Sequence, residues 1–181
     1  MKEIRMLVLL VAMVVVIDSC TKTETKTPVA TTNGTLLAGA SGQSKSWTLK
    51  SLTFSVPGSS SQTVTDMPAC ESDNTFKFTN NSTQSYQATE GSLTCTSTDP
   101  ATIESGSWAF TDDGKTLLID GIPNITNDEL NSTDHAYLYF LTLSIHGPLS
   151  VSQISDTSVT LSYTFTISST TYTAILVLQK V

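Results

Sequence analysis

The chain has few basic residues and no apolar run long enough to cross a membrane. Its 181 residues include nine Lys and Arg against sixteen Asp and Glu, which gives a formal net charge of −7. Binding to phosphate backbones needs clustered Lys and Arg, so this balance argues against a nucleic-acid partner. The longest apolar run, Met6–Ile17, has twelve residues, whereas a membrane-spanning helix needs about 20. The sequence therefore predicts neither a nucleic-acid-binding protein nor a transmembrane helix.

Catalytic and metal-binding signals are also sparse. The two histidines, His135 and His146, come without a nucleophile elbow of the Gly-X-Ser-X-Gly type, so we interpret them as ordinary loop or strand-end residues. The acidic and amide side chains of residues 127–134 lack the spacing and central glycine of an EF-hand loop, which favours a solvated acidic loop over a calcium site. We expect a protein that is not an enzyme and that holds no metal or other cofactor.

The N-terminal segment has the charge order of an export signal. Lys2 and Arg5 precede the apolar run. The residues that follow it, Ile17-Asp18-Ser19-Cys20, resemble the lipobox of bacterial lipoproteins, in which an aliphatic, a variable and a small residue precede the lipidated cysteine. The resemblance implies that residues 1–19 are a signal peptide and that Cys20 is the lipid attachment site. Ordinary cleavage that leaves Cys20 unmodified is the alternative.

The segment after Cys20 predicts a flexible connection to a folded domain. Residues 20–44 are rich in Thr, Ser, Gly and Ala and show no apolar period, a composition typical of a disordered tether. A lipid on Cys20 implies anchoring to the outer membrane of a bacterial envelope. No dense acidic cluster follows Cys20, so we expect the periplasmic face rather than the cell surface.

Two cysteines remain once Cys20 is assigned to lipid. Cys70 and Cys95 form an even pair in a chain with an export signal, which predicts a disulfide. On the chain-entropy model, this cross-link would stabilise the fold by roughly 3–4 kcal/mol. Two independent buried thiols are the alternative. No matching pair of histidines accompanies the cysteines, which argues against a structural zinc site.

Beyond residue 45, apolar and polar residues alternate with period two. In Val159–Ile167 one face of a strand is apolar and the other carries hydroxyl groups. The sequence Asp112-Asp113-Gly114 predicts a hairpin turn whose glycine takes a positive φ. Further strands are predicted around Phe76 and Phe78, around Tyr86 and Ala88, at Trp108 and Phe110, at Leu117 and Ile119, over Tyr137–Ile145 and over Tyr172–Lys180.

The alternation changes phase within the first strand. Trp47 and Leu49 have odd numbers, whereas Leu52, Phe54 and Val56 have even ones, so a bulge near Lys50-Ser51 is needed to bury all five. The whole pattern gives about eight or nine strands and no amphipathic helix. It therefore favours an all-β antiparallel meander, closed into a barrel or packed as a sandwich.

Several motifs point to a known group. They are Trp47 and Leu49, Ala69-Cys70, Asp73-Asn74, Phe76 and Phe78, Glu90-Gly91, Cys95, Gly106-Ser107-Trp108 and Gly114-Lys115-Thr116-Leu117. Together they resemble the lipocalin-like domains carried by lipoproteins of Gram-negative bacteria, over roughly Ser46 to Val181. The resemblance implies an up-and-down β-barrel of about eight strands, which we place at residues 45–181.

The resemblance and the strand pattern together give a hypothesis of function. We expect an envelope lipoprotein whose barrel binds a small hydrophobic ligand at a site that the sequence does not define. The strand aromatics Tyr137, Tyr139, Tyr163 and Phe165 either line such a pocket or belong to the core. The alternative is a protein-interaction or structural module without a cavity, docking through its acidic surface or the loop Gly121–Asp134. A hydrolase that uses the two histidines ranks third.

Overall fold

The computed structural model describes residues 27–95, 97, 100–124, 147–167 and 169–181. In these ranges the elements are α1 (Val29–Ala38), β1 (Ser44–Ser55), β2 (Gln62–Val64), α2 (Ala69–Ser72), β3 (Thr75–Thr79), β4 (Ser85–Thr89), β5 (Thr102–Phe110), β6 (Thr116–Pro123), β7 (Gly147–Ile154), β8 (Ser158–Ile167) and β9 (Thr170–Lys180). The following lie outside the described residues, so the predictions about them stay predictions: the signal peptide, Cys20, loop residues 125–134, His135, His146 and the strand Tyr137–Ile145 with Tyr137 and Tyr139.

Eight strands form a closed antiparallel up-and-down barrel, which confirms the predicted fold. From β3 to β9 each strand pairs with its neighbours in sequence, and β3 pairs with β1. Strand β9 pairs with β1 from Trp47↔Lys180 to Ser55↔Thr173, and this pairing closes the sheet. The short β2 lies beside the second half of β1 and is additional to the eight.

Strand β1 contains the bulge that the phase change predicts. Its register with β9 shifts between Leu49 and Ser51. The shift compensates for the change from odd to even apolar positions, because the extra residue turns the following side chains to the other face. Trp47, Leu49 and Leu52 are consequently all buried inside the barrel.

Side chains from the inner faces of the strands form one continuous core. Phe78 packs among aromatic rings of this core, with its centroid 5.1 Å from that of Tyr86 and 6.3 Å from that of Trp108. The buried apolar residues from the strands are Trp47, Leu49, Leu52, Phe76, Phe78, Tyr86, Ala88, Ile103, Trp108, Leu117, Ile119, Leu149, Val159, Leu161, Ala174, Leu176 and Leu178.

Helix α1 covers one end of the barrel, called the closed end from here on. It packs against β1, β3, β5 and β7, and its Leu37 and Ala38 are fully buried in the core. The Asn33 side-chain amide donates a 2.9 Å hydrogen bond to the carbonyl oxygen of Gly114 in the β5–β6 turn. The helix is therefore part of the folded domain. Among the described residues, neither helix has the length and apolar character needed to span a membrane.

The prediction of a disordered tether over residues 20–44 is wrong for residues 29–38, which are helical, and for Ser44, which begins β1. Five of the ten helix residues are apolar but they form no amphipathic stripe, and a small residue lets the helix approach the barrel: Gly34 lies against the ring of Trp108. Lys45 holds its C-terminal end, donating 2.7 Å hydrogen bonds to the carbonyl oxygen of Leu36 and to Asp156 Oδ1. The hydrogen bond that Lys45 donates to Asp156 lowers the pKa of the Asp156 carboxyl group. Tertiary contacts, rather than a local apolar period, thus specify α1.

The β5–β6 turn has the predicted conformation. Gly114 has a φ of 68°, and Asp113 Oδ1 accepts hydrogen bonds from the Lys115 backbone N–H (3.1 Å) and the Thr111 hydroxyl (2.7 Å). These bonds to the ionised carboxylate lower the pKa of Asp113, with the backbone bond as the main cause. A Cβ at position 114 would lie 2.6 Å from Val29 Cγ1, so glycine also lets α1 approach the turn.

Candidate binding site at the barrel mouth

The end of the barrel opposite α1 is called the mouth from here on. Strand β1 runs from the closed end towards it, and β9 runs back. The β1–β2 connection and the β8–β9 turn border the mouth on one side. The β2–β3 and β4–β5 connections border it on the other, since β3 begins and β4 ends there. The two sides differ in chemistry, and the first contains a pocket.

The first side of the mouth contains a pocket of about 540 Å³. Its apolar wall consists of Phe54 and Val56 from β1 and its continuation, Phe165 from β8 and Tyr172 from β9. Its polar residues come from the β1–β2 connection and the start of β2: Ser59, Ser60 and Gln62. The pocket is therefore apolar on the barrel side and lined by hydroxyl and amide groups on the hairpin side.

Three nearly parallel rings support the apolar wall. The Phe165 ring centroid lies 5.3 Å from that of Tyr163 at an interplanar angle of 16°, and 5.3 Å from that of Tyr172 at 13°. Phe165 and Tyr172 are direct cross-strand partners, whereas Tyr163 precedes Phe165 by two residues on the same face. The sequence left open whether Tyr163 and Phe165 belong to the core or to a pocket. Both pack against the core, and Phe165 also lines the pocket.

Phe54 and Tyr172 are pocket residues that sequence reasoning missed. Phe54 lies opposite Ala174 of β9, and Ala174 lies opposite Tyr163 of β8. A small, fully buried alanine thus separates two aromatic side chains in one row across three strands. Phe54 reaches this row because the β1 bulge turns it inwards and because β9 closes the barrel against β1. The sequence carries one signal for Phe54, which is its even-numbered position in the apolar series of β1.

Among the residues that the structure describes, the lining of the mouth pocket carries no charged side chain. Moving an unpaired charge out of water into such a site is costly, because neither a counter-ion nor enough solvent compensates it. Ser59 and Ser60 offer hydroxyl groups that both donate and accept hydrogen bonds, and Gln62 offers an amide. The pocket therefore suits a neutral molecule with an apolar body and few polar atoms.

A disulfide fixes the opposite side of the mouth. Cys70 of α2 is bonded to Cys95 of the β4–β5 connection, with a Cα–Cα distance of 5.2 Å, as the sequence predicts. Because the bond joins two connections at the same end of the barrel, it ties the segment before β3 to the segment after β4. This side of the rim is covalently cross-linked, whereas the pocket side is held by packing.

The residues after α2 reinforce this cross-link. Asp73 Oδ2 accepts hydrogen bonds from the backbone N–H of Leu93 (3.0 Å) and the hydroxyl of Ser92 (3.1 Å). Asn74 Oδ1 accepts a hydrogen bond of 3.0 Å from the backbone N–H of Gly91. A Cβ on Gly91 would collide with the Asp73 carboxyl group, so the close approach requires glycine. The Asp73-Asn74 and Glu90-Gly91 motifs are thus accounted for by the structure of the rim.

A polar pair lies inside the barrel. The hydroxyl of Tyr86 is 3.4 Å from Glu104 Oε2, and both side chains are almost fully buried. Burial raises the pKa of the Tyr86 phenol well above its usual value of 10.0, and the nearby Glu104 carboxyl group raises it further. The pair places a hydrogen-bonded polar contact in a core that is otherwise largely apolar.

A second concave surface lies outside the barrel. It has a volume of about 620 Å³ and follows a row of cross-strand partners, Lys77, Gln87, Ser105 and Ile122, on β3 to β6. The lining is mostly polar, and Ile122 at its edge is 77% exposed. This outer groove is separated from the mouth pocket by the wall of the barrel.

Neither metal-binding geometry nor similarity to known proteins assigns a further role to the described residues. In the ranges that the structure describes, no group of three or more His, Cys, Asp or Glu side chains is placed to hold a metal ion. Comparison of the sequence with known proteins returns no match, either to a protein-family model or to a curated protein. The closed eight-stranded barrel is consistent with the lipocalin-like fold that the sequence motifs imply.

Proposed function

We propose that this chain is a non-enzymatic, lipocalin-like lipoprotein of the bacterial envelope that binds a small, neutral, hydrophobic molecule in its mouth pocket. The lipid on Cys20 holds it at the periplasmic face of the outer membrane. The observation that carries the proposal is the uncharged pocket of about 540 Å³ formed by Phe54, Phe165 and Tyr172 with the hydroxyl groups of the β1–β2 connection. Its volume falls in the range of roughly 300–1,000 Å³ that is typical of small-molecule sites.

The composition of the lining favours a ligand with an apolar body. The stacked rings of Phe165 and Tyr172 and the side chains of Phe54 and Val56 offer such a ligand dispersion contacts. A hydroxyl or carbonyl group on the ligand then reaches Ser59, Ser60 or Gln62.

The remaining interior supports binding at the mouth rather than deep in the barrel. Near α1 the space is filled by buried side chains, among them Leu37, Trp47 and Phe78. The pocket wall is carried by the paired strands β1, β8 and β9, and a preorganised site loses less conformational entropy on binding. The barrel thus acts as a rigid support for a shallow site.

Titration with a neutral apolar dye, N-phenyl-1-naphthylamine, tests this proposal on the purified mature protein. We expect saturable binding by the wild type and at least tenfold weaker binding by Phe165→Ala. Thr164→Ala is the matched control, because Thr164 precedes Phe165 in the same strand and is exposed. Ser60→Trp leaves the aromatic wall intact and fills the pocket from an exposed loop position, so it should also block the dye.

The outcomes separate binding from a general loss of structure. Far-UV circular dichroism should show the same sheet content in Ser60→Trp as in the wild type. A folded Ser60→Trp protein that binds the dye as the wild type does would contradict the assignment of the pocket, and a wild type that binds no dye would contradict the proposed activity.

A protein-interaction role is the second candidate, and one observation favours it. Leu118 and Ile122 of β6 are 41% and 77% exposed and, four residues apart on a strand, lie on one face. A photo-crosslinking amino acid at Ile122 that captures one defined envelope protein in cells, with none captured from Thr164, would favour this role. Such a result combined with an absence of dye binding would replace the ligand-binding proposal.

A further inference from the structure

The position of α1 relates the barrel to its lipid anchor. Eight Cα–Cα steps separate Cys20 from Pro28, the residue that precedes α1. At about 3.6 Å per step, the connection reaches no further than roughly 29 Å when fully extended. The start of α1 is thus confined to the neighbourhood of the lipid surface if Cys20 carries the anchor.

The start of α1 lies at the closed end of the barrel. Val29 approaches Gly114 of the β5–β6 turn, and the Asn33 amide is hydrogen-bonded to the same residue. Leu37 and Ala38 further along the helix are buried in the core. Because packing and hydrogen bonds fix α1 on the barrel, the anchor restrains the orientation of the whole domain and not only that of a loose terminus.

The height of the barrel determines which of its two ends the short connection after Cys20 allows to face the membrane. Strand β9 has 11 residues, which at about 3.3 Å per residue and a tilt of about 40° gives a barrel roughly 28 Å tall. For the mouth to face the membrane, the connection after Cys20 would have to span nearly this whole height along the barrel wall. That requires almost full extension, whereas a pose with the closed end towards the membrane needs none.

We infer that the closed end faces the lipid surface and that the mouth opens away from the bilayer. The ligand is then exchanged through the aqueous periplasm or with a soluble partner, and is not extracted directly from the anchoring membrane. This inference rests on the lipid anchor at Cys20 in the proposed function. It adds the direction from which the mouth pocket is reached.

The closed end is a surface held near the membrane and not one that inserts into it. Asp112 and Asp113 in the β5–β6 turn are exposed and acidic, and Asp156 in the β7–β8 turn is 73% exposed. Carboxylates are repelled by anionic headgroups and are costly to bury in hydrocarbon. The covalent connection therefore sets the orientation.

Fluorescence quenching from the membrane surface tests the orientation. The lipidated full chain is purified from a bacterium that processes lipoproteins and is reconstituted in phosphatidylcholine vesicles with a nitroxide on some headgroups. A fluorophore is attached through Asp112→Cys at the closed end or through Ser61→Cys, an exposed position beside the mouth pocket. We expect the closed-end probe to be quenched at least three times more strongly than the mouth probe.

A lengthened connection provides the control. Twenty added Gly and Ser residues between Cys20 and Pro28 raise the fully extended length of the connection from roughly 29 Å to roughly 100 Å, several times the height of the barrel. The difference between the two probes should then largely disappear.

Equal quenching with the native connection, or stronger quenching at the mouth, would overturn the orientation but leave the proposed function standing. Protein that fails to float with the vesicles would refute the lipid anchor and the orientation together, whereas dye binding to the mouth pocket is measured independently.

Discussion

The indole nitrogen of Trp47 donates a 2.9 Å hydrogen bond to the carbonyl oxygen of Leu37. Both side chains are fully buried. The bond satisfies the indole N–H and one of the carbonyl groups that the last turn of a helix leaves without an intrahelical partner. It joins α1 to the first barrel strand at the closed end.

Replacing Trp47 with phenylalanine should destabilise the domain. The Trp47→Phe variant keeps an aromatic ring in the core but removes the donor to Leu37, which we expect to cost about 1–3 kcal/mol. Urea unfolding followed by circular dichroism measures this loss. Lys50→Ala on the same strand, where the side chain is exposed, should change the free energy of unfolding by less than about 0.5 kcal/mol. Equal effects of the two substitutions would contradict a specific role for the bond.

Shortening Leu37 tests whether α1 belongs to the folded domain. Leu37→Ala creates a cavity in the core and should cost about 2–5 kcal/mol, whereas Leu36→Ala, next to it and only half-buried, should cost clearly less. Hydrogen exchange of the α1 amides should accelerate in Leu37→Ala. Unchanged stability in Leu37→Ala would mean that residues 29–38 act as the flexible tether that their composition suggests.

Removing the disulfide should weaken the fold. The double variant Cys70→Ser with Cys95→Ser opens a loop with a sequence separation of 25, and the chain-entropy model gives a loss of roughly 3–4 kcal/mol. Urea midpoints of the variant and of the wild type with and without reductant provide the measurement. The reduced wild type should match the variant. A reduced wild type as stable as the oxidised one would show that the cross-link contributes little.

Tyr86 should make the protein sensitive to alkaline pH. Its pKa in the folded state lies above its usual value of 10.0, so its contribution to stability is complete below about pH 10 and is lost as the pH rises towards the folded-state pKa. Tyr86→Phe should therefore show a smaller decrease in urea midpoint between pH 9 and pH 11 than the wild type. Parallel pH profiles would contradict this assignment, and measurements at pH 7 control for the substitution itself.

The barrel could be predicted because its signals are local. Period-two alternation within β8 and the Asp-Asp-Gly turn of β5–β6 are visible in a few consecutive residues, and both have the predicted form. The bulge after Leu49 follows from the phase of apolar residues in one strand. Each of these features requires no knowledge of a distant segment.

The elements that sequence reasoning missed depend on distant contacts. Helix α1 buries small residues such as Gly34 and Ala38, which give little apolar signal. Strand β7 has a proline at position 148 and a single fully buried residue, Leu149, so its alternation is weak.

The mouth pocket depends on tertiary contacts even more. Phe54 and Phe165 are far apart in sequence and meet only because β9 pairs with β1 on one edge and with β8 on the other. No local pattern in either strand indicates that the two rings line one pocket.

Backbone chemical shifts with bound N-phenyl-1-naphthylamine test whether the mouth pocket is the binding site. In spectra of the ¹⁵N-labelled mature protein, we predict that dye-induced changes concentrate in residues 54–62 and 163–174. Changes confined to Lys77, Gln87, Ser105 and Ile122 would place the dye in the outer groove instead. That result, or an absence of changes at saturating dye, would contradict the account.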